Sequence, residues 1–119
     1  MKNVRLCAMA ASALVAMAYP AQARSAYDGS WYIAFVTQQG ACDPSYNFTI
    51  NVNNGFLSHP NLVRFKGHVA RSGAVRASVT VQDKYAAGSG RLSSATGRGT
   101  WRGYGGSGRC SGYWTAQRN

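Results

Sequence analysis

Glutamate does not occur in this 119-residue sequence, and its acidic residues are three aspartates, Asp28, Asp43 and Asp83, far apart along the chain. A hydrolase that works with paired carboxylates therefore has little to draw on. Each aspartate sits in a segment that reads as a turn or a strand approach, where a short carboxylate hydrogen-bonds nearby backbone. Histidine is nearly as scarce: His59 precedes Pro60, and His68 stands among basic residues. Neither has the neighbours of a nucleophile and base pair. The reading is therefore not an enzyme.

Long apolar runs are also missing. The longest, Leu6 to Ala18, falls short of the roughly 20 residues that a membrane-spanning helix requires, so no transmembrane anchor is expected. With Lys2 and Arg5 before it and Ala21-Gln22-Ala23 after it, residues 1–23 read as a secretory signal, and the mature chain is expected to begin at Arg24. Cys7 lies inside the apolar stretch and not at its far end after a small-residue box, which argues against lipidation. The expected destination is periplasmic or extracellular.

Residues 24–119 are long enough for one β domain, expected to be a monomer. Two cysteines remain, Cys42 and Cys110, and an even count in an exported chain predicts a disulfide. Two free thiols or a metal pair are the alternative. A zinc site would also need His59 and His68, and no metal is expected.

Helical periodicity is absent too, while alternation of apolar and polar residues recurs. Tyr46, Phe48, Ile50 and Val52 share one face of a strand, with Asn47, Thr49 and Asn51 on the other. Asn47-Phe48-Thr49 spells a glycosylation sequon but falls in mid-strand, and no meaning is attached to it. Asn54-Gly55 then marks a tight hairpin, and Phe56-Leu57 starts the return. Further strands are predicted over 62–70, with Val63, Phe65, Gly67 and Val69 inward, and over 74–82, with Val75, Ala77, Val79 and Val81 inward. Turns at Ser72-Gly73 and Asp83-Lys84 separate these from strands over 85–93, 98–104 and 109–118. With 30–38 at the front, the fold class is an all-β antiparallel meander of about eight strands.

Two echoes support it. Gly88-Ser89-Gly90-Arg91-Leu92-Ser93 recurs as Gly106-Ser107-Gly108-Arg109-Cys110-Ser111, a spacing suited to alternate strands. Every tryptophan also has a glycine two positions earlier: Gly29 and Trp31, Gly99 and Trp101, Gly112 and Trp114. Residues i and i+2 face one side of a strand, so each glycine is expected to make room for its own indole. These strands are the first, seventh and eighth, neighbours only if the sheet closes into a barrel. Closure brings the end of the first strand beside the start of the eighth, near Cys42 and Cys110, provided that Gln39-Gly40-Ala41 folds back. A two-sheet sandwich held by the same bond is the alternative. A closed barrel of this size has an interior for side chains or one small ligand, and Phe48, Ile50, Val75 and Val79 are expected to fill it.

The residues Asp28-Gly29-Ser30-Trp31, Cys42-Asp43, Gly88 to Ser93, Gly97 to Trp101 and Cys110 to Trp114 resemble a family of small exported proteins of Gram-negative bacteria whose role is uncharacterised. The resemblance covers nearly the whole mature chain and implies export and a compact β fold, with no catalytic residue to carry over. In topology the Gly-x-Trp opening and eight-strand meander also resemble lipocalins and avidins.

What remains is charge. Thirteen basic residues less the two in the leader stand against three aspartates, a net of about +8. Arg64, Lys66, Arg76 and Arg102 are the candidate anion-binding residues, for an anionic envelope component such as lipopolysaccharide or anionic phospholipid, or for an acidic protein. Nucleic acid is not expected in an exported compartment, although Trp101-Arg102-Gly103-Tyr104 interleaves aromatics with charge. The segment from Gly103 to Gly108 lacks the Lys-Ser/Thr pair and the helix of a phosphate loop. An anion-engaging binding protein is thus the first functional reading. The second is a carrier of a small apolar ligand such as haem, with His59 and His68 as ligand candidates. A protease inhibitor is a third, without a motif behind it.

Overall fold

Strict alternation along one strand after another, broken by short polar turns, leaves the chain a single economical way to bury its apolar faces: the sheet curls until its last strand meets its first. In the computed structural model, which describes residues 25–62, 64–106 and 108–119, the strands are β1 (Gly29–Gln39), β2 (Ser45–Asn53), β3 (Phe56–Ser58), β4 (Lys66–Val69), β5 (Ala74–Val81), β6 (Lys84–Leu92), β7 (Thr96–Gly105) and β8 (Gly108–Arg118). They form a closed antiparallel barrel in chain order. The secretory leader at 1–23, the Arg24 start and the inward placement of Val63 lie outside the described residues. Among the described residues no helix is long and apolar enough to cross a membrane. The inner face is apolar, and the outer face is polar apart from exposed aromatics such as Tyr32, Phe56 and Tyr113.

The predicted hairpin at Asn54-Gly55 is present, with φ of 55° and 85° at its two residues, the positive pair that a right-twisting two-residue turn requires. Where a strand over 62–70 was predicted, only Lys66–Val69 is extended. Pro60 has no N–H to give a ladder, and His59 Nδ1 instead accepts a bond from Asn61 N at 3.0 Å. The chain then turns, with Leu62 N bonded to His59 O and Phe65 N to Leu62 O. Phe65 still reaches the core. The β5–β6 turn is Gln82-Asp83, one residue earlier than expected, because Val81 pairs with Lys84.

The connections alternate between the two ends of the barrel, and the ends differ: one is plugged and the other open. At the closed end Trp31 is fully buried, and its Nε1 donates to Tyr27 O at 2.8 Å. Arg118, the last inward residue of β8, lies 5.1 Å from the Trp31 ring centroid and donates to the carbonyls of Ser94, Ala26 and Asp28. The Asp28 carboxylate accepts from Asn54 N at 2.9 Å and Gly55 N at 3.1 Å, tying the lead-in segment to the β2–β3 hairpin. Asp28-Gly29-Ser30-Trp31 is thus the stopper of the barrel.

Partial desolvation pushes the Asp28 carboxyl up, but the N–H groups of Asn54 and Gly55, with the Ser25 hydroxyl and N–H, outweigh it and hold its pKa near 2, below the ordinary 3.8. A depressed carboxyl pKa stabilises fully above the unfolded value and loses that contribution as pH falls through the folded one. Wild type should therefore lose melting temperature between about pH 4 and pH 2 more steeply than Asp28→Asn. Equal losses in thermal melts across that window would contradict this role.

The three tryptophan strands are neighbours, β7 beside β8 and β8 beside β1. The glycines, however, serve the indoles of adjacent strands, not their own. Trp101 stands opposite Gly112 of β8 and Gly88 of β6, and its Nε1 reaches across β8 to donate to Val36 O of β1 at 3.1 Å. Trp114 stands opposite Gly99 of β7, and its Nε1 reaches across β7 to donate to Ser89 O of β6 at 3.2 Å. In a tightly curved barrel a large ring leans over the next strand, so the bare position must be there. Gly29 faces no indole: a Cβ on it would meet only Arg118 Nη2, at 4.0 Å.

Candidate functional site

The lower barrel is packed by Ile33, Ile50, Val52, Leu57, Val69 and Val75 around the tryptophans, leaving a void of only about 50 Å³. Above it the interior opens. A cup of about 650 Å³ occupies the mouth, floored by Phe35, Phe48, Val79 and Ala86 and walled by Leu62, Trp101, Tyr46 and Cys42. The expectation of a filled interior thus holds for Ile50 and Val75 at the bottom and fails at the level of Phe48 and Val79. The cause lies on the β6 and β7 side, where the inward residues near the mouth are Ala86, Gly103 and Gly105. Too little volume projects there to meet the phenylalanines of β1 and β2.

The cup is held open by its loops. Cys42 and Cys110 are bonded, with Cα atoms 6.0 Å apart, and this anchors the β1–β2 loop against the start of β8. The fold-back expected of Gln39-Gly40-Ala41 is present: β1 bulges between Thr37 and Gln39, and Gly40 takes φ of 97°. A Cβ there would collide with Arg109 O and stand 2.8 Å from Cys110 Cα. Thr37 holds the loop through Thr37 N to Pro44 O, 2.9 Å, and Thr37 Oγ1 to Asp43 O, 2.6 Å. Phe35 and Phe48 stack with centroids 5.6 Å apart, fixing the floor.

Polar groups gather at the lip. Lys84, in inward register with Ala86 and Gly88, lines the cup, as does Asp43. Tyr85 and Tyr104 are cross-strand partners with centroids 5.7 Å apart. Val81 faces inward as expected but is 42% exposed, because the mouth is open. An apolar well with a few charged and phenolic groups at its rim takes a small molecule with an apolar body and a polar end.

The histidines are not brought together. His68 is on the outer face of β4, its ring 5.0 Å from that of Phe56, and His59 sits edge-on to Phe48 at 5.7 Å. Neither lines the cup, and among the described residues no group of three or more metal-ligating side chains occurs. Of the anion candidates, Arg76 and Arg102 border one outer trough, Lys66 shares a cross-strand row with Arg102, and Arg64 stands apart in the β3–β4 loop. Tyr46 lies on the inward face that the alternation predicts, whereas nothing in the sequence pattern points to Lys84 and Tyr104 as cup-lining residues. The available signal was small inward residues on β6 and β7 facing large ones on β1 and β2.

No protein-family model, curated protein or solved structure matches the chain.

Proposed function

We propose that this chain is an exported, non-enzymatic carrier that takes one small amphiphilic molecule into the mouth of its barrel. The observation that carries the reading is the apolar cup of about 650 Å³ above a packed floor, within the roughly 300–1,000 Å³ usual for small-molecule sites. The apolar body of the ligand lies against Phe35, Phe48, Val79 and Trp101, and its polar end stays at the lip near Lys84 and Asp43. With no histidine among the cup-lining residues, the ligand is better read as a metal-free amphiphile than as haem. The disulfide suits an oxidising compartment, consistent with export. Native mass spectrometry of protein purified from its own host without organic solvent tests the reading. The expected spectrum carries one adduct of defined mass that is lost on denaturation. A bare mass under both conditions would overturn it.

A further inference from the structure

The outer face of β4–β8 is a lattice of cross-strand rows in which positive charge recurs without a carboxylate. One row runs Ala74, Arg91, Arg98 and Thr115; the next His68, Arg76, Ser89, Thr100 and Tyr113; the third Lys66, Ser78, Ala87, Arg102 and Ser111. The three aspartates of the chain all lie outside the strands, at positions 28, 43 and 83. Arg91 and Arg98 stand directly opposite each other, a placement that is unfavourable between like charges. Arg91 is partly engaged by Ser72 O at 3.0 Å.

Beside this pair the face is concave. A trough of about 920 Å³ lies between Arg76 and Arg102, with Ala87, Ser89, Thr100 and Ser111 across it and Gln38 and Gln39 at its β1 side. The small residues make the hollow, and the hydroxyls and amides make it polar. Gln39 Oε1 accepts from Ser111 Oγ at 3.3 Å, which leaves the Gln39 amide N–H groups to face outward partners. Arg76 and Arg102 are two strands and two residues apart, about 12 Å between Cα atoms, a spacing at which their guanidinium groups can reach two charges along one chain.

We infer that this trough binds an acidic oligosaccharide, with Arg76 and Arg102 pairing with its sulfate, phosphate or uronate groups and the Ser, Thr and Gln side chains hydrogen-bonding its sugar hydroxyls. Guanidinium forks match such anions in two-bond geometry. Single-stranded nucleic acid fits less well, since bases need rings to stack on: within the trough lining the one ring is the buried Trp101, and the exposed Tyr104 and Tyr113 stand beside the trough and not in it. A lipid surface needs an apolar anchor, whereas the trough presents hydroxyls. The trough lies on the outer face and the cup in the barrel mouth; Trp101 is the residue common to the two linings.

The test is calorimetric titration with a heparin-derived hexasaccharide at two salt concentrations. Arg76→Gln/Arg102→Gln is compared with Arg64→Gln/Arg71→Gln, which removes the same charge from loops off the trough, and both are checked by thermal melting. The trough variant should raise Kd at least about ten-fold and lower the salt slope by about two, with the loop variant near wild type. Equal weakening by both variants would mean diffuse attraction and overturn the inference. So would no binding by wild type, or tighter trough-dependent binding of anionic vesicles or oligo-dT than of the hexasaccharide.

Discussion

Gly99→Ala should destabilise this barrel by on the order of 3 kcal/mol, the upper part of the range for overpacked cores, and lower its melting temperature by roughly 15 °C. The added methyl would collide with Ser89 O, the acceptor of the Trp114 indole, and stand 2.6 Å from Trp114 Nε1 and 2.7 Å from Gly90 Cα. None of these can retreat. Trp114 is buried, and Ser89 and Gly90 belong to a strand paired on both sides. Gly106→Ala is the control: a Cβ there meets nothing within 4 Å, so its melt should stay within about 3 °C of wild type. Equal melting of the Gly99 and Gly106 variants would show that Trp114 does not lie on Gly99.

Cys42→Ser/Cys110→Ser should cost roughly 4 kcal/mol in the chain-entropy model, because the bond joins residues 68 apart in sequence. For a domain with total stability of about 5–15 kcal/mol this is a large share. The strand ladder does not include the bond, so far-UV circular dichroism at low temperature should keep its β signature while the melt moves down. A second effect is local. Cys42 lines the cup with Ala41 and Asp43, so releasing the β1–β2 loop should loosen the wall and weaken ligand binding beyond the loss of stability. Identical melts of oxidised wild type and the double variant would mean that the two sulfurs are not bonded in solution.

The strands were legible because alternation was strict: Tyr46 to Val52 and Val75 to Val81 show their inward faces in the sequence itself. Barrel closure was legible from the three tryptophan strands, which are neighbours only in a closed sheet, and from two cysteines placed where the first strand ends and the eighth begins. The direction in which each indole leans was not, since it depends on barrel curvature, and so the glycine partners were assigned within strands when they lie across them. Alternating Val63, Phe65, Gly67 and Val69 predicts a strand over 62–70, but His59 and Pro60 start a turn whose bonds run locally, and only Lys66–Val69 is extended. The cup was hidden for a different reason. A void is a shortfall of volume between residues distant in sequence, here Phe35 and Phe48 against Ala86, Gly103 and Gly105. No single residue announces it. Charge was readable as a total, but the gathering of Arg76 and Arg102 at one trough required the register.

Titration with the neutral fluorescent probe N-phenyl-1-naphthylamine shows whether the cup takes a ligand. Wild type should show saturable one-to-one enhancement. Ala86→Phe, which sets a ring on the floor between Val79 and Gly103, should weaken it at least about ten-fold, a change worth about 1.4 kcal/mol, while melting close to wild type. Absence of saturable binding by wild type, or equal binding by the folded Ala86→Phe protein, would mean that the cup is not a ligand site.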